Sequence, residues 1–322
     1  MVIQTKVIQT KVVQTKASAI ACTLSWSWLG LLMLMGCGTS GPAAPPVTMK
    51  SEQPVPVANQ QVATQTFAVE LLSWNLESEG SDPTVIGQEL ADMKRYDVYA
   101  FSEVLPEASK ILEASLGTNY ISVISDSGYS DRLAILYDQT KFEEIKHFEI
   151  QEINFQRRYR APLVVHLKHK VAGVEFLVMN NHLARGKATV RQEQATQLVQ
   201  WARTQLMPVV ALGDYNFDYV FETKKGNPAF SNMLKDNVWQ WVKPEQWIDT
   251  NWYDNPKDPD GKDDYPGSML DFAFASGPAK AWEKRCRVIV RDGDFPDDER
   301  TSDHRPFELI IAGTAEDKSL PK

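Results

Sequence analysis

Asn75, Glu103, His182, Asp214, Asn216, Asp271, Asp303 and His304 each stand at or just past an apolar run. Such residue types can do chemistry: carboxylates hold a hard cation, histidines move a proton, amides donate to developing charge. Singly, most have ordinary uses. "TSDHRP", residues 301–306, reads as a polar turn with Pro306 setting the entry to the last strand. "GDYN", residues 213–216, suits a turn, and Glu103 suits the cap of a helix beginning in "PEASKIL". Asp271 differs, because it interrupts the apolar run "MLDFAF" and a carboxylate there is costly to bury without a partner. Taken together, in this order, the set reads as one site.

Positioning that set requires strands that stop where the chemistry begins. "FAVELLSWNL" runs as a strand into Asn75, "YDVYAFSEV" into Glu103 and "VEFLVMNNHL" into His182. "LAILYD", "APLVVHLKH", "MPVVALGDYN", "SMLDFAFAS" and "RPFELIIAG" are further β-rich runs. "DPTVIGQELADM" and "TVRQEQATQLVQWARTQL" have helical spacing, the first with an Asp-Pro start. Strands separated by helices and hairpins over this length predict an α/β or α+β sandwich, with a ligand gathered at strand ends.

The chain has 322 residues, 43% of them hydrophobic, so one large domain or two small ones fit. Net charge is −8, and setting aside residues 1–36, which hold three Lys and no acid, leaves −11. A polyanionic partner must therefore be met by a local patch or a metal. The basic repeat "VIQTKVIQTKVVQTK" precedes an uncharged apolar stretch ending in "LMGC", residues 34–37. That order predicts an export signal. The Cys-containing end resembles the lipobox of bacterial lipoproteins, which makes Cys37 the lipidated mature N-terminus; a simple cleaved signal and an uncleaved anchor are the competing readings. The expected organisation is a signal peptide over 1–37, a Pro/Gly/Ser/Gln-rich tether over 38–66, a catalytic domain over 67–312 and a polar tail over 313–322. Cys286 is then the one cysteine of the domain, which rules out an intrachain disulfide there.

"SWNLE", "FSEV", "SDRLAILY", "YRAPLVVHL", "NNHL", "LGDYN", "LDFAF" and "SDHRP", spread over roughly residues 67–312, resemble the motifs of the endonuclease/exonuclease/phosphatase superfamily. That group includes pancreatic deoxyribonuclease, abasic-site endonucleases, bacterial sphingomyelinases and inositol polyphosphate 5-phosphatases. The resemblance implies an α+β fold, a four-layer α/β/β/α sandwich of two packed mixed sheets flanked by helices. It implies that Glu103 is the principal ligand of Mg²⁺ (Mn²⁺ being possible), that Asp303 faces the same metal, and that Glu77 is a metal-side acid. Hard oxygen ligands suit such an ion, and no Cys/His cluster suggests zinc. His304 would pair with Asp271, and His182 would be held by Asp131. Asp214 and Asn216 would face the phosphate together, Asn75 would donate to it and Arg160 would contact it.

Two departures stand out. Ser102 occupies the position before the metal Glu where the family commonly has Gln, and Arg185, Lys187 and Arg191 after "HL" are not general features of the superfamily. They read as a substrate-side cationic patch. "YDNPKDPDGKDDYPG", residues 253–267, does not meet the EF-hand pattern and reads as a solvated loop; "WQWVKPEQW", residues 239–247, reads as core and loop packing. The chemistry implied is in-line attack of water on a phosphoester, with His304 or Asp214 as the base. An exported, monomeric nuclease held to a bacterial membrane by a lipid anchor and facing the periplasm or the exterior is the first reading. A phosphatase or phospholipid phosphodiesterase is the second, and a non-catalytic phosphate-binding lipoprotein the third.

Overall fold

Apolar side chains recur on both faces of most strands, which is the pattern of strands covered from two sides. The computed structural model describes residues 66–296 and 300–314. The expected signal, Cys37 and the expected tether through residue 65 lie outside the described residues, as does the expected tail beyond 314. In chain order the strands are β1 (Thr66–Asn75), β2 (Val98–Val104), β3 (Tyr120–Ile124), β4 (Arg132–Asp138), β5 (Phe142–Glu149), β6 (Leu163–His169), β7 (Glu175–His182), β8 (Val209–Val220), β9 (Trp239–Val242), β10 (Ser268–Ser276), β11 (Glu283–Val288) and β12 (Phe307–Thr314). The helices are α1 (Pro83–Asp92), α2 (Ser109–Leu116), α3 (Ala188–Arg203) and α4 (Pro228–Met233).

The strands form two mixed six-stranded sheets, ordered β11-β12-β1-β2-β4-β3 and β5-β6-β7-β8-β10-β9. Helices α1 and α2 cover the outer face of the first sheet. Leu72, Tyr99 and Phe101 point to that side and pack with Ile86 and Leu90 of α1 and with Leu112 and Leu116 of α2. Alternate residues of the same strands, among them Val69, Leu71, Val98 and Ala100, belong to the larger core shared with the second sheet. Ala195, Leu198, Val199 and Ala202 of α3 pack into that core too. The result is the expected α/β/β/α sandwich. The strand limits extend the expected domain slightly: β1 opens at Thr66 and β12 runs to Thr314.

Local sequence explains the ends. Asp82 caps α1 by accepting from the Thr84 N–H at 2.8 Å, with Pro83 in the first turn. Among the polar contacts that tie the sheets together, Asn180 of β7, fully buried, donates through Nδ2 to the carbonyls of Phe101 (2.6 Å) and Ala134 (3.1 Å) in the first sheet. Gly213 lets β7 and β8 lie close. Its φ is +130°, and a Cβ there would stand 2.0 Å from the carbonyl oxygen of Asn181. "WQWVKPEQW" supplies β9, with Trp239 buried and Trp247 stacked on Tyr219 at 5.5 Å.

Candidate active site

Parallel β7 and antiparallel β10 flank β8, and their register sets His182 beside Asp214 and Asp214 beside Asp271. Three functional side chains are thus neighbours across one sheet. Asp271 lies where the β10–β8 register shifts after Met269. Glu103 lies in a second shift, between Phe101 and Val104 of the β2–β4 pair, and has a φ of +54°. Such irregularities re-aim a side chain at the end of a ladder. Glu77 (φ +50°) and Asn216 (φ +52°) share the left-handed backbone, which costs roughly 1–3 kcal/mol each and must be over-determined by its surroundings.

The surroundings do this. Asn75, last residue of β1, donates through Nδ2 to Glu103 Oε1 (3.0 Å) and Asp214 Oδ2 (3.3 Å), while its Oδ1 accepts from the Glu77 N–H (3.0 Å). Asn216 donates its backbone N–H to Asp214 Oδ1 (2.8 Å) and its Nδ2 to the Leu183 carbonyl (3.0 Å) and Asp214 Oδ2 (3.1 Å). The 301–306 loop is held against both sheets. Ser302 Oγ donates to the Asn75 carbonyl (2.5 Å) and accepts from the His304 N–H (3.0 Å). Trp74 Nε1 donates to the His304 carbonyl (2.7 Å), and residues 250–252 run alongside through Trp252 N–H to Asp303 O (2.7 Å) and Arg305 N–H to Thr250 O (2.9 Å).

His304 Nδ1 donates to Asp271 Oδ2 at 2.8 Å, and both residues are buried. Its Nε2 looks into a cavity of about 140 Å³ lined by Glu103, His182, Asp214, Asn216 and Asp303 as well. Arg185, Asn251, Trp252, Tyr253, Tyr265 and Leu270 complete the wall. Burial by itself would lower the His304 pKa, but Asp271, Asp303 and Asp214 outweigh it and raise it well above the ordinary imidazole value. His182 goes the other way: burial, with Arg160, His304 and Arg185 nearby, holds it well below. Burial also pushes Asp214 up to about 7, Asp271 and Glu103 adding to it while His304 opposes. The two histidines of the site are thus driven in opposite directions, and the buried Asp214 carboxyl is pushed well above the usual carboxylate range.

The structure brings Asn75, Glu103, His182, Asp214, Asn216, Asp271, Asp303 and His304 to one place. Other expected contacts differ. Asp131 does not hold His182: Asp131 Oδ1 is 3.9 Å from His182 Nδ1, and His182 Nε2 instead faces Asp214 Oδ2 (3.3 Å) and Glu103 Oε1 (3.6 Å). The Asp131 carboxylate is taken by Arg160, whose Nε bonds Oδ1 at 3.0 Å and whose Nη2 bonds Oδ2. Arg160 is accordingly neutralised within the protein and is not a free phosphate contact. Burial still pushes Asp131 up to about 6 despite Arg160, because Glu103 and Glu79 are near. Arg191 is not a substrate-side cation either; it is 7% exposed and donates to the carbonyls of Ala184 and Arg185, both at 2.7 Å. Lys187 is exposed and Arg185 lines the cavity. Glu77 braces rather than faces the cavity, accepting the Asp303 N–H at 3.0 Å through Oε2.

A divalent cation fits this donor set. Glu103 and Asp303 present carboxylates to one cavity, and ligand atoms of Glu103, Asp131 and His182 lie within 4.8 Å of one another. Asp131 is the weakest of these donors because Arg160 occupies it. The crowding that helps push Asp214 upward is what a bound cation relieves.

Residues 72–304 match the Endonuclease/Exonuclease/phosphatase family, and the chain belongs to it. Members are phosphoric ester hydrolases, nucleases and phosphatases that depend on divalent metals, and this chain is such an enzyme. No curated protein matches it in sequence. Among solved structures it resembles a family protein from Bacteroides thetaiotaomicron (20% identity, TM-score 0.58, 78% of this chain and 96% of that one). It also resembles the mannosyl-6-phosphatase of that organism (18%, 0.56, 76% and 99%) and TDP2 of D. rerio complexed with single strand DNA product (16%, 0.59, 76% and 98%).

Proposed function

We propose that this chain is a Mg²⁺-dependent phosphodiesterase acting on nucleic acid, exported and tethered through Cys37. The observation that carries the diester reading is the charge inventory of the cavity. Glu103, Asp214 and Asp303 line it, with Asp271 behind His304, while Arg185 is a guanidinium lining it that also pairs with Asp218 at 2.9 Å; Arg160 and Arg191 are committed to internal partners. A diester brings one negative charge and a monoester close to two at neutral pH, so repulsion by the carboxylates favours the diester.

Glu103 and Asp303 would hold the metal, which supplies charge neutralisation on the phosphoryl oxygens when bound. Arg185 and His304, which line the cavity, would orient the diester and receive the charge that develops on its oxygens, while Asn216, whose Nδ2 is spent on Leu183 and Asp214, holds Arg185 and Asp214 in place. His182, neutral and buried, adds a donor through Nε2 beside Asp214. Asp214 is the better placed proton acceptor: it faces the cavity between Asn75, Asn216 and His182, whereas His304 is paired through Nδ1 with Asp271. A small phosphomonoester is the second reading, favoured by a cavity of only about 140 Å³.

The test is hydrolysis of plasmid, single-stranded DNA, RNA, sphingomyelin vesicles and sugar phosphates with Mg²⁺ or EDTA. Metal-dependent cleavage of a nucleic acid at equal phosphate supports the reading; release of inorganic phosphate from sugar phosphates alone replaces it with the second. For the anchor, Cys37→Ser should abolish palmitate labelling and leave precursor in the membrane fraction. An intact N-terminus on mature wild-type protein would replace the lipid anchor with an uncleaved one.

A further inference from the structure

Between Thr250 and β10 the chain carries two rings to the mouth of the catalytic cavity. Tyr253 and Tyr265 both line it, with centroids 5.1 Å apart and planes inclined at 31°. The Arg185 guanidinium lies over the Tyr265 ring at 5.1 Å and donates to its hydroxyl. Tyr253 remains 41% exposed. The intervening loop is fixed by its own aspartates. Asp263 Oδ1 accepts from the N–H groups of Tyr253 (3.3 Å) and Tyr265 (3.0 Å), locking the bases of both rings. Asp254 accepts from Asp260 (3.3 Å) and Gly261 (2.8 Å), and Asp264 from Asn255 (2.9 Å). A ring left open to solvent thus stands at the mouth of the catalytic cavity on a backbone fixed by Asp263.

Resting on the phosphodiesterase reading above, we propose that Tyr253, backed by Tyr265 and Arg185, is a stacking platform for the nucleobase next to the scissile phosphate, and that it makes the enzyme selective for nucleoside diesters over alkyl ones. Stacking suits a neutral planar base, because every base offers a π-face and the contact needs no sequence match. Asp254, Asp258, Asp260, Asp263 and Asp264 flank the two tyrosines in sequence, so the contact offered here is to the neutral base and not to the phosphates on either side of it.

The experiment compares kcat/KM for thymidine 5′-(p-nitrophenyl phosphate) and for methyl p-nitrophenyl phosphate in wild type, Tyr253→Ala and Tyr253→Phe, with Mg²⁺ present. The wild type should favour the nucleoside ester. The ratio of the two values should fall roughly tenfold in Tyr253→Ala, within the range of base–aromatic stacking, and should be kept in Tyr253→Phe. An unchanged ratio in Tyr253→Ala overturns the platform while leaving the phosphodiesterase intact. If the wild type turns over neither ester, the phosphodiesterase reading fails, and calorimetric titration of thymidine monophosphate decides the platform separately. Affinity reduced about tenfold in Tyr253→Ala supports it; equal affinity, or no binding to wild type, overturns it.

Discussion

Gly213→Ala tests how tightly the site depends on strand spacing. The new Cβ would meet the Asn181 carbonyl oxygen at 2.0 Å and the Asn181 nitrogen at 2.8 Å, both backbone atoms with no rotamer to yield. Restoring ordinary contact at 3.4 Å requires about 1.4 Å of separation between β7 and β8. Asn181 and Gly213 are register partners, and the next pair is His182 with Asp214, so the displacement falls on the 3.3 Å approach of His182 Nε2 to Asp214 and the 3.6 Å approach to Glu103. An ångström of misplacement costs on the order of 10²-fold in rate, and the added φ strain and overpacking cost roughly 3 kcal/mol of stability. Urea unfolding followed by circular dichroism, alongside metal-dependent phosphodiester hydrolysis, reads both. Gly186→Ala, which meets nothing within 4 Å, is the stability control and should change little. A Gly213→Ala protein with wild-type midpoint and wild-type rate would refute the argument.

Asp271→Asn should lower kcat by at least ~10²-fold and match His304→Ala, because each breaks the 2.8 Å pair; a folded Asp271→Asn enzyme at wild-type rate would show the pair to be dispensable. Activity should vanish in EDTA, and Glu103→Gln should raise the Mg²⁺ concentration for half-maximal rate; full turnover in EDTA would remove the metal from the account. Glu308, buried and bonded by Arg287 at 2.7 Å with Lys94 at 2.7 Å, has a depressed pKa: burial would raise it, but the hydrogen bonds from Arg287, Lys94 and Tyr96 prevail. Its stabilisation is therefore complete above the unfolded value of 4.5 and is lost as pH falls through the lower folded value. Glu308→Gln should be destabilised at pH 7, with the gap to wild type closing under acid titration; a gap of constant size down to pH 2 would contradict the assignment.

What could be read in the sequence follows from how each element is buried. β1, β2, β4, β6, β7, β8, β10 and β12 lie inside the sheets and are written as apolar runs, with Asn75, Glu103 and His182 at the ends of β1, β2 and β7 and Asp214 and Asp271 within β8 and β10. β5 and β11 are edge strands whose outward faces carry charge, as in "FEEIKHFE" and "EKRCRV", so no apolar run marks them. Residue types pointed to side chains that the fold gathers in one place, Asp271 inside an apolar strand being the plainest case, since it lies against His304. Pairing was less legible. Which carboxylate Arg160 and His182 would choose depends on side-chain directions across loops, and Arg160 took Asp131 while His182 turned to Asp214. The wall from Asn251 to Tyr253 and at Tyr265 comes from segments without periodicity, held by contacts with the 301–306 loop and by local aspartate turns. Its one sequence signal is the gathering of Trp and Tyr around an acid-rich stretch.

The two amide bonds from Asn180 have a mechanical meaning. Asn75 and Glu103 ride on one sheet, while His182, Asp214 and Asp271 ride on the other, so the site is assembled across a sliding plane. Greasy contacts resist separation of such plates far better than they resist slip, because burying apolar area has no preferred direction. A directional pin deep in the plane fixes the offset at which Asn75 reaches Asp214 at 3.3 Å. Replacing it with an isosteric hydrophobe would leave the plates firmly pressed together with one directional restraint fewer beside those of Tyr137 and Cys286, giving a protein that stays folded under heating while its active centre loses alignment.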